Sequence, residues 1–386
     1  MMNRRRIPLT TDGQKHYLKH KEEIDRAIAD VLNSGEYTLG PEVEALEREF
    51  ADYCGVKYAV TVNSGTTALL LPLLAREVGA GDEVLAVSNA DVGMSTVPLF
   101  VGADLNWVDI EEDTFNMSAV DLAEKVSSRT RVVIVAHMYG LPADMAGIRA
   151  VLADYPDVIL IEDAALAPGA EYGGQKVGSL ADFGCFSLAW NKVLGMIGRG
   201  GIITTDSPED YLRLREVRHY GKEKTLDDSL AKPEQHLVRL GLNERLDAIQ
   251  GAAGRVKLRH LDADLELRRA AASIYNRVLS DSPCRTPRVP ENCTHSYRVY
   301  VIQVDPSIRD AFVDQMMKAG VEVGKHYVPP DHLHPYFLER GSAPGLLPIT
   351  ERVAERLVCL PSHPYMDVAD VWYAANTARE VLAELV

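Results

Sequence analysis

The chain has 386 residues, of which 46% are hydrophobic and 25% are charged, a balance typical of a folded globular protein rather than of a disordered chain. This length is sufficient for a large domain and a smaller one. The formal net charge of −15 argues against non-specific nucleic-acid binding, which depends on excess lysine and arginine, and no apolar run approaches the length that crosses a bilayer.

Strand and helix patterns alternate along the first two thirds of the chain. The apolar runs that predict strands are Val56–Val62, Glu83–Ser88, Arg131–His137, Val158–Asp163, Phe183–Leu188 and Gly201–Thr205. The patterns that predict helices include Glu42–Tyr53, Thr66–Val78, Val120–Val126, Met145–Asp154 and Pro208–Arg218. Such alternation predicts an α/β protein with a mostly parallel sheet covered by helices. Several strands are apolar on both faces, as burial between two helical layers requires.

The pattern changes after about residue 255. A long helical stretch, roughly Leu246–Tyr275, leads into a shorter region with a predicted strand at Tyr297–Val304 and a terminal helix from Val368 onward. We therefore expect two domains. Residues 1–255 form the large one, which includes an N-terminal arm and helix, and residues 256–386 form a smaller α+β domain.

Two polar residues follow neighbouring predicted strands. The strand that begins at Phe183 continues through Ser-Leu-Ala-Trp-Asn to Lys192 and a glycine-rich turn, and the strand Val158–Asp163 ends in an aspartate. Each residue alone is explained more simply, as a surface lysine and as a helix cap. Together they predict a pyridoxal phosphate site, in which the lysine forms a Schiff base and the aspartate keeps the pyridine nitrogen protonated.

Three further residues suit a phosphate group. Gly65 and Thr66 stand where a predicted strand turns into a helix, and free N–H groups and the helix dipole at such a position favour an anion. An ordinary helix cap by Ser64 explains that segment equally well. Ser187 offers another hydroxyl on the approach to Lys192, although a strand serine bonded to backbone is the simpler explanation when it is taken alone. Asn243 lies in a loop before a long helix, where a turn or cap asparagine is the ordinary interpretation.

The ordered set of motifs resembles the sugar aminotransferases of the DegT/DnrJ/EryC1/StrS family, which are pyridoxal-phosphate proteins of fold type I. The matching segments are Asn63-Ser-Gly-Thr-Thr-Ala-Leu69, Gly81-Asp-Glu-Val84, Ala136-His-Met-Tyr-Gly140, Glu162-Asp-Ala-Ala165, Gly184-Cys-Phe-Ser-Leu-Ala-Trp-Asn-Lys192, Gly241-Leu-Asn-Glu-Arg-Leu246 and His326-Tyr-Val-Pro329. They extend over nearly the whole chain. The resemblance implies a mostly parallel, seven-stranded sheet sandwiched by helices, with residues 1–255 as the cofactor-binding domain.

The resemblance also implies a role for each matching residue. Lys192 would be the Schiff-base lysine and the general acid–base, and Asp163 would pair with the pyridine nitrogen. His326 and Tyr327 match a segment near the sugar pocket. The working unit would be a homodimer with a shared active site. The cofactor would be held by Gly65, Thr66, Asp163, Ser187, Lys192 and Asn243 of the partner subunit.

Three positions depart from the family pattern. Asp91 stands where an aromatic residue usually stacks on the cofactor ring, and Leu166 stands where glutamine or histidine usually bonds the phenolic oxygen. A carboxylate near the Schiff base would favour its protonated form, and Asp91 is also a candidate substrate-binding residue. Arg199 replaces a residue that is commonly acidic. We expect it to meet an anionic substrate group with its planar fork, although an arginine that points to solvent fits equally well.

The sequence therefore predicts an aminotransferase that moves an amino group from glutamate or glutamine to a keto-sugar, nucleotide-linked or phosphorylated, or to a keto-cyclitol. Such chemistry belongs to amino-sugar formation for glycans or antibiotics. The alternatives are a dehydratase or isomerase on the same cofactor and a non-catalytic regulatory protein that binds it. Relatives that resemble sugar dehydratases carry histidine at the lysine position, so Lys192 argues against that alternative.

Two features point away from metal binding and secretion. Asp331, His332 and His334 are close in sequence, but without a further well-spaced carboxylate or cysteine we expect no metal site there. The five cysteines are odd in number and lack Cys-x-x-Cys spacing, which suits reduced thiols. We expect a cytoplasmic protein with no membrane and no nucleic-acid partner.

Overall fold

The computed structural model describes residues 6–10, 13–226 and 236–386. The first five residues of the predicted N-terminal arm lie outside these ranges. The strands of the described residues, in chain order, are Tyr58–Val62 (β1), Glu83–Val87 (β2), Asp104–Val108 (β3), Thr130–Ala136 (β4), Ile159–Asp163 (β5), Glu171–Tyr172 (β6), Gln175–Lys176 (β7), Phe183–Ser187 (β8), Gly201–Thr205 (β9), Cys293–Thr294 (β10), Tyr300–Gln303 (β11) and Leu357–Leu360 (β12).

The helices of the same ranges surround these strands. They are Gly13–Leu18 (α1), Lys21–Ser34 (α2), Pro41–Cys54 (α3), Gly65–Ala75 (α4), Val92–Phe100 (α5), Ala119–Lys125 (α6), Met145–Leu152 (α7), Pro208–Arg218 (α8), Ala248–Arg259 (α9), Leu261–Leu279 (α10), Pro306–Lys318 (α11), Pro335–Leu338 (α12), Pro348–Ala354 (α13) and Val368–Leu385 (α14). Proline at the start of α3, α8 and α11 suits the first helical turn, where its missing N–H has no partner to lose.

Seven strands of the described chain form one central sheet in the order β1-β9-β8-β5-β4-β2-β3. The pairs β2–β3, β2–β4, β4–β5 and β5–β8 are parallel. Strand β9 is antiparallel to both β1 and β8, so β1 runs in the same direction as β8. The predicted mostly parallel sheet between helices is confirmed. The carboxyl ends of β1, β2, β4, β5 and β8 consequently meet at one edge, where α/β sheets bind ligands.

Strand β3 and helix α5 are among the elements of this region that were not predicted. Strand β3 lies at the sheet edge with its first three residues partly or fully exposed, and its Asp-Leu-Asn start has low strand propensity. Helix α5 is apolar on nearly all sides and contains Pro98, so it shows no amphipathic period. Both are therefore stabilised by tertiary packing more than by local pattern.

The C-terminal region has a hydrophobic core of its own. Strands β11 and β12 pair antiparallel, and their buried residues pack with those of α10, α11 and α14, as Tyr275, Ile302, Phe312 and Leu382 illustrate. The predicted helical stretch from Leu246 is divided by His260 into α9 and α10. The predicted domain boundary near residue 255 falls inside α9 and stays a prediction.

Candidate active site

A cavity of about 430 Å³ opens at the carboxyl edge of the central sheet. Asp163 ends β5, Ser187 ends β8, and Gly65 begins α4 directly after β1. The carboxyl ends of β1, β5 and β8 therefore place these residues around one space. The predicted site residues that line the cavity are Gly65, Thr66, Asp91, Asp163, Ser187, Lys192 and Arg199.

The start of α4 forms a close-fitting cradle with the end of β8. Ser64 caps the helix by accepting a hydrogen bond from the Thr67 N–H at 3.1 Å, so its hydroxyl is used by the helix itself. Gly65 lies against Ser187, and a Cβ at Gly65 would stand only 2.5 Å from the Ser187 Cβ. Glycine is thus required for this approach. The first turn of α4 and the Ser187 hydroxyl together suit an anion.

We expect Gly65→Ala to weaken binding of pyridoxal phosphate by about 5- to 150-fold, the range that corresponds to about 1–3 kcal/mol of overpacking. The added methyl group would displace Ser187 and the first turn of α4. Titration of the cofactor-free protein with pyridoxal phosphate measures the dissociation constant. Gly79→Ala is a matched control because its Cβ meets only the Val101 carbonyl oxygen, at 3.5 Å; equal affinities in the two variants would contradict the cradle.

Asp163 presents a buried carboxylate to the cavity. Its side chain is 8% exposed, and its Oδ1 accepts a hydrogen bond from the Ala165 N–H at 3.1 Å. Burial raises the pKa of Asp163, while the Ala165 N–H and the charge of Lys192 partly oppose that rise. A cation placed against this carboxylate would restore its ionised form.

Lys192 follows β8 in a loop whose shape is held by backbone hydrogen bonds. The Trp190 N–H donates to the Gly198 carbonyl at 2.8 Å, and the Met196 N–H donates to the Leu188 carbonyl at 3.0 Å. Burial lowers the pKa of Lys192 and the Arg298 charge lowers it further, whereas Asp91 and Asp163 raise it. A lowered pKa increases the fraction of uncharged amine, the form that acts as nucleophile and base.

Asp91 and Leu166 face the same region as Lys192. A small space beside the main cavity is lined by both of them together with Asp163 and Tyr327. Asp91 also caps α5, because its Oδ1 accepts a hydrogen bond from the Gly93 N–H at 3.2 Å. The structure therefore gives Asp91 a local structural role in addition to its position near Lys192.

The segment with His326 and Tyr327 reaches the site from the C-terminal region. Tyr327 lines the small space beside Lys192. Burial lowers the pKa of His326, and the charges of Arg298 and Lys192 lower it further. The Tyr139 hydroxyl donates to the His326 carbonyl oxygen and so braces the segment. A role for these residues in sugar binding stays a prediction.

Arg199 and Asn243 lie at the margin of the candidate active site. Arg199 is exposed at the cavity. Asn243 is also exposed, and its Oδ1 accepts a hydrogen bond from the Arg245 Nε at 2.9 Å. Asn243 is not among the residues that line the cavity of the same chain. The adjacent Glu244 accepts a hydrogen bond from the Thr67 hydroxyl at 3.0 Å, so the loop lies next to the start of α4.

Two residues near the site received no role from the sequence. His137 lies in the small space beside Asp163. Its Nδ1 accepts from the Ala143 N–H at 3.0 Å, which leaves Nε2 to donate to Glu162 at 2.8 Å. The sequence signal that could have identified His137 is its place in the Ala136–Gly140 motif. Arg298 is buried just before β11, within the mostly apolar run Tyr297–Val304 that predicts only a strand.

The histidine clusters show packing and hydrogen bonding. His332 Nδ1 lies 2.7 Å from the Ser88 Oγ, and its Nε2 lies 3.0 Å from Glu351. Elsewhere, ligand atoms of His20, Glu23 and His260 lie within 4.8 Å of one another. The two imidazole rings of that group stack with centroids 4.0 Å apart.

The five cysteines are free thiols. Across residues 6–10, 13–226 and 236–386, no helix combines the length and the apolar character that a bilayer crossing requires.

Comparison with known proteins gives one consistent result. Residues 18–378 match the sequence model of the DegT/DnrJ/EryC1/StrS aminotransferase family. The chain is 37% identical to the erythromycin biosynthesis sensory transduction protein EryC1 of Saccharopolyspora erythraea, over 92% of this chain and 94% of that protein. It is 34% identical to the UDP-N-acetyl-3-dehydro-alpha-D-glucosamine 3-aminotransferase of Acidithiobacillus ferrooxidans, over 97% of this chain and 98% of that protein.

A solved structure shows the same fold over almost the full length. The crystal structure of DesV from S. venezuelae superposes with a TM-score of 0.91 at 32% identity, covering 97% of this chain and 98% of that one.

Proposed function

The chain belongs to the DegT/DnrJ/EryC1/StrS aminotransferase family, and we propose that it uses pyridoxal phosphate to move an amino group from glutamate or glutamine to a keto-sugar or keto-cyclitol. The observation that carries this proposal is the cavity in which Lys192, Asp163 and the Gly65–Ser187 cradle meet. An amine, a carboxylate and an anion site are the three groups that the cofactor needs.

The residues present fit that cofactor. Gly65, Thr66 and Ser187 would hold its phosphate, because the close approach of Gly65 to Ser187 leaves the first turn of α4 open toward the cavity. Asp163 would pair with the protonated ring nitrogen, which supplies the cation that this buried carboxylate lacks. When bound, pyridoxal phosphate would supply a carbonyl that bonds to amines and a ring that withdraws electrons from the reacting carbon.

Lys192 would carry the proton in both halves of the reaction. Its Nζ would take the proton from the donor carbon that bears the amino group, and in the second half deliver a proton to the acceptor carbon. The lowered pKa of this amine increases the fraction of the uncharged form, which is the form that acts as a base. Tyr327 and Leu166 cover the adjoining space and would exclude water from the amine.

The acceptor class is proposed from the relatives and from the cavity margin. The relative from Acidithiobacillus ferrooxidans is named for amination of a UDP-linked keto-sugar, and we propose a nucleotide-linked or phosphorylated keto-sugar for this chain. The 326–337 segment would shape the sugar pocket, with His326 and Tyr327 as its nearest members to Lys192. Amino-sugar formation for glycans or antibiotics is the corresponding process.

Transfer of labelled nitrogen tests the proposal. The enzyme would be loaded with pyridoxal phosphate and incubated with a panel of nucleotide-linked keto-sugars. The donor would be glutamate labelled with nitrogen-15 or glutamine labelled with nitrogen-15 at either the amide or the amine. A sugar product that contains the label is the expected result. A product without added nitrogen would show a dehydratase or isomerase, and no product with any acceptor would favour a regulatory protein.

Arg199 is proposed to meet an anionic group of a substrate. Arg199→Ala is expected to raise the KM of one substrate about two- to fivefold, a modest effect because the side chain is exposed and solvent screens its charge. Steady-state kinetics with each substrate varied in turn measures the change. Unchanged KM values for donor and acceptor would remove this role.

We also propose a homodimer in which Asn243 reaches the cofactor phosphate of the partner's site. Support comes from its exposure and from the position of its loop beside α4. Mixed dimers of Lys192→Ala and Asn243→Ala subunits should then contain one site with both native residues. Mixing the two weak variants is expected to recover up to about half of the wild-type activity per dimer; no recovery in verified mixed dimers would place Asn243 outside the partner's site.

A cytoplasmic location and the division into residues 1–255 and 256–386 are further parts of this proposal. The free thiols support a reducing compartment, and the separate core around β11, β12 and α14 supports a smaller C-terminal domain.

A further inference from the structure

A short extended segment around Asn243 lies beside the end of α8. The Leu242 N–H donates to the Val217 carbonyl at 2.7 Å. The Glu244 N–H donates to the Arg218 carbonyl at 3.0 Å. These two bonds hold the backbone on both sides of Asn243. Successive side chains of an extended backbone point in opposite directions, so Asn243 and Glu244 leave this segment on different sides.

Glu244 joins the segment to the start of α4. Its Oε2 accepts a hydrogen bond from the Thr67 hydroxyl at 3.0 Å, and Thr67 is only 8% exposed. The Thr67 Oγ1 also lies 2.9 Å from the Oγ of Ser64, which caps the helix. Thr67 belongs to the first turn of α4, as Gly65 does. The Glu244 carboxylate is therefore bonded to the helical turn that forms the Gly65–Ser187 cradle.

The bond between Glu244 and Thr67 is the side-chain contact that fixes this loop to α4. Within the described parts of the chain, no other side-chain hydrogen bond joins residues 241–246 to a different element. A loop residue that binds a ligand loses conformational freedom when it does so, and this loss weakens binding. A hydrogen bond that orders the loop beforehand reduces the loss.

Asn243 presents hydrogen-bond donors on the other side of the segment. Its side chain is exposed, and its Oδ1 accepts a hydrogen bond from the Arg245 Nε at 2.9 Å. The amide N–H groups of Asn243 have no acceptor among the described residues, and such groups bond to phosphate oxygens. Asn243 does not line the cavity of the same chain, so the phosphate that it suits belongs to another subunit.

We propose that Glu244 is a positioning residue for the cofactor site of the partner subunit. Through its bond to Thr67, it fixes the loop that presents Asn243 to the cofactor phosphate of that site. The inference rests on the proposed function, in particular on the homodimer. Its new element is that the first turn of α4 in one subunit supports a phosphate contact in the other. Hydrogen bonds of this supporting kind hold a binding group in its productive geometry.

The cofactor affinity of mixed dimers tests this role. In the first dimer, a wild-type subunit is paired with a Lys192→Ala/Glu244→Ala subunit, so the visible band of bound pyridoxal phosphate reports only the wild-type site. The dissociation constant of that site is expected to be about 3- to 10-fold higher than in a control dimer of wild type and Lys192→Ala, the range for one lost hydrogen bond. Equal constants in the two dimers would overturn the proposal.

A second dimer carries the same two substitutions in different subunits. Its Glu244→Ala subunit retains Lys192 and receives Asn243 from a loop in which Glu244 is present. The affinity of this site is expected to match that of the control dimer. A loss of affinity here that exceeds the loss in the first dimer would mean that Glu244 acts on its own cradle, which would overturn the role across the interface.

Two further substitutions, made in both subunits, separate the hydrogen bond from the charge of the loop. Glu244→Gln keeps an acceptor for the Thr67 hydroxyl and is expected to bind pyridoxal phosphate within about threefold of wild type, whereas Glu244→Ala should bind it more weakly. Asp247→Ala is the matched control, because this nearby exposed carboxylate makes no side-chain capping bond. A loss in Glu244→Gln or in Asp247→Ala as large as that in Glu244→Ala would overturn the proposal.

A third mixed dimer separates this inference from the proposed function. Wild type paired with Lys192→Ala/Asn243→Ala should also lose cofactor affinity, because the phosphate contact itself is removed. If this dimer loses affinity and the Glu244 dimer does not, only the role of Glu244 is wrong. A wild-type protein that is monomeric, or that gives no visible band with the cofactor, would contradict the proposed function without any Glu244 variant, and this inference would fall with it.

Discussion

Lys192→Ala is expected to abolish amino transfer, with kcat reduced on the order of 10⁴-fold or more. The variant loses the amine that we propose bonds to the cofactor and moves the proton, and no second lysine lines the cavity among the described residues. The protein should still fold, because Lys192 is in a loop shaped by backbone hydrogen bonds. Single-turnover and steady-state rates with glutamate measure the effect.

Lys125→Ala is the matched control for that experiment. Lys125 lies in the last turn of α6 and forms an ion pair with Asp121 at 2.7 Å, far from the cavity in the fold. Its loss should leave the rate unchanged. A Lys192→Ala variant that kept a rate within tenfold of the control would show that another group performs the chemistry.

Asp163→Asn is expected to lower kcat/KM roughly 30- to 5,000-fold, the effect of about 2–5 kcal/mol for removing one partner of a buried charge pair. Asparagine keeps the size of the side chain, but it has no negative charge that would keep the ring nitrogen of the cofactor protonated. Exposed Asp154 provides the control, since Asp154→Asn alters a carboxylate outside the site. Equal rates in the two variants would contradict the role of Asp163.

The same substitution should have the opposite effect on the cofactor-free protein. Burial raises the pKa of Asp163 above 3.8, so the folded state binds this proton more tightly than the unfolded state. Its contribution to stability is present below the unfolded pKa and is lost as pH rises through the higher folded pKa. At neutral pH, Asp163→Asn should therefore have an equal or higher free energy of unfolding, measured by urea denaturation, than wild type. A lower value would mean that the carboxylate is already paired.

The sheet was predictable because its strands are apolar on both faces and end in turn residues. Strands β4, β5 and β8 are fully or almost fully buried, and such runs are recognisable in a sequence. The edge strand β3 and the helix α5 were not, since the first begins with residues of low strand propensity and the second has no polar face. Their structure depends on neighbours that are distant in sequence.

The residues of the candidate site also differ in whether the sequence alone could predict them. Lys192, Asp163 and Gly65 adjoin strand ends, so topology alone brings them to one edge. Arg298 lies in a different region of the chain, and its burial and its effect on the pKa of Lys192 depend on the packing of that region. Neither motif nor spacing predicts such a contact. Asn243 stays a prediction because its proposed contact is with a second subunit.

Two of the positions that the resemblance marks as departures, Asp91 and Leu166, lie in the small space that Lys192 also lines. The charge of Asp91 raises the pKa of Lys192, whereas that of Arg298 lowers it.

The absorbance spectrum of the purified protein with pyridoxal phosphate, recorded before and after addition of glutamate or glutamine, tests the central claim most directly. The account predicts a yellow protein whose visible band is lost with a donor, and a Lys192→Ala variant that lacks the band of the wild type. A protein that stays colourless with added cofactor would contradict the assigned site. A yellow protein that is indifferent to every amino donor would contradict the aminotransferase proposal while leaving the cofactor site in place.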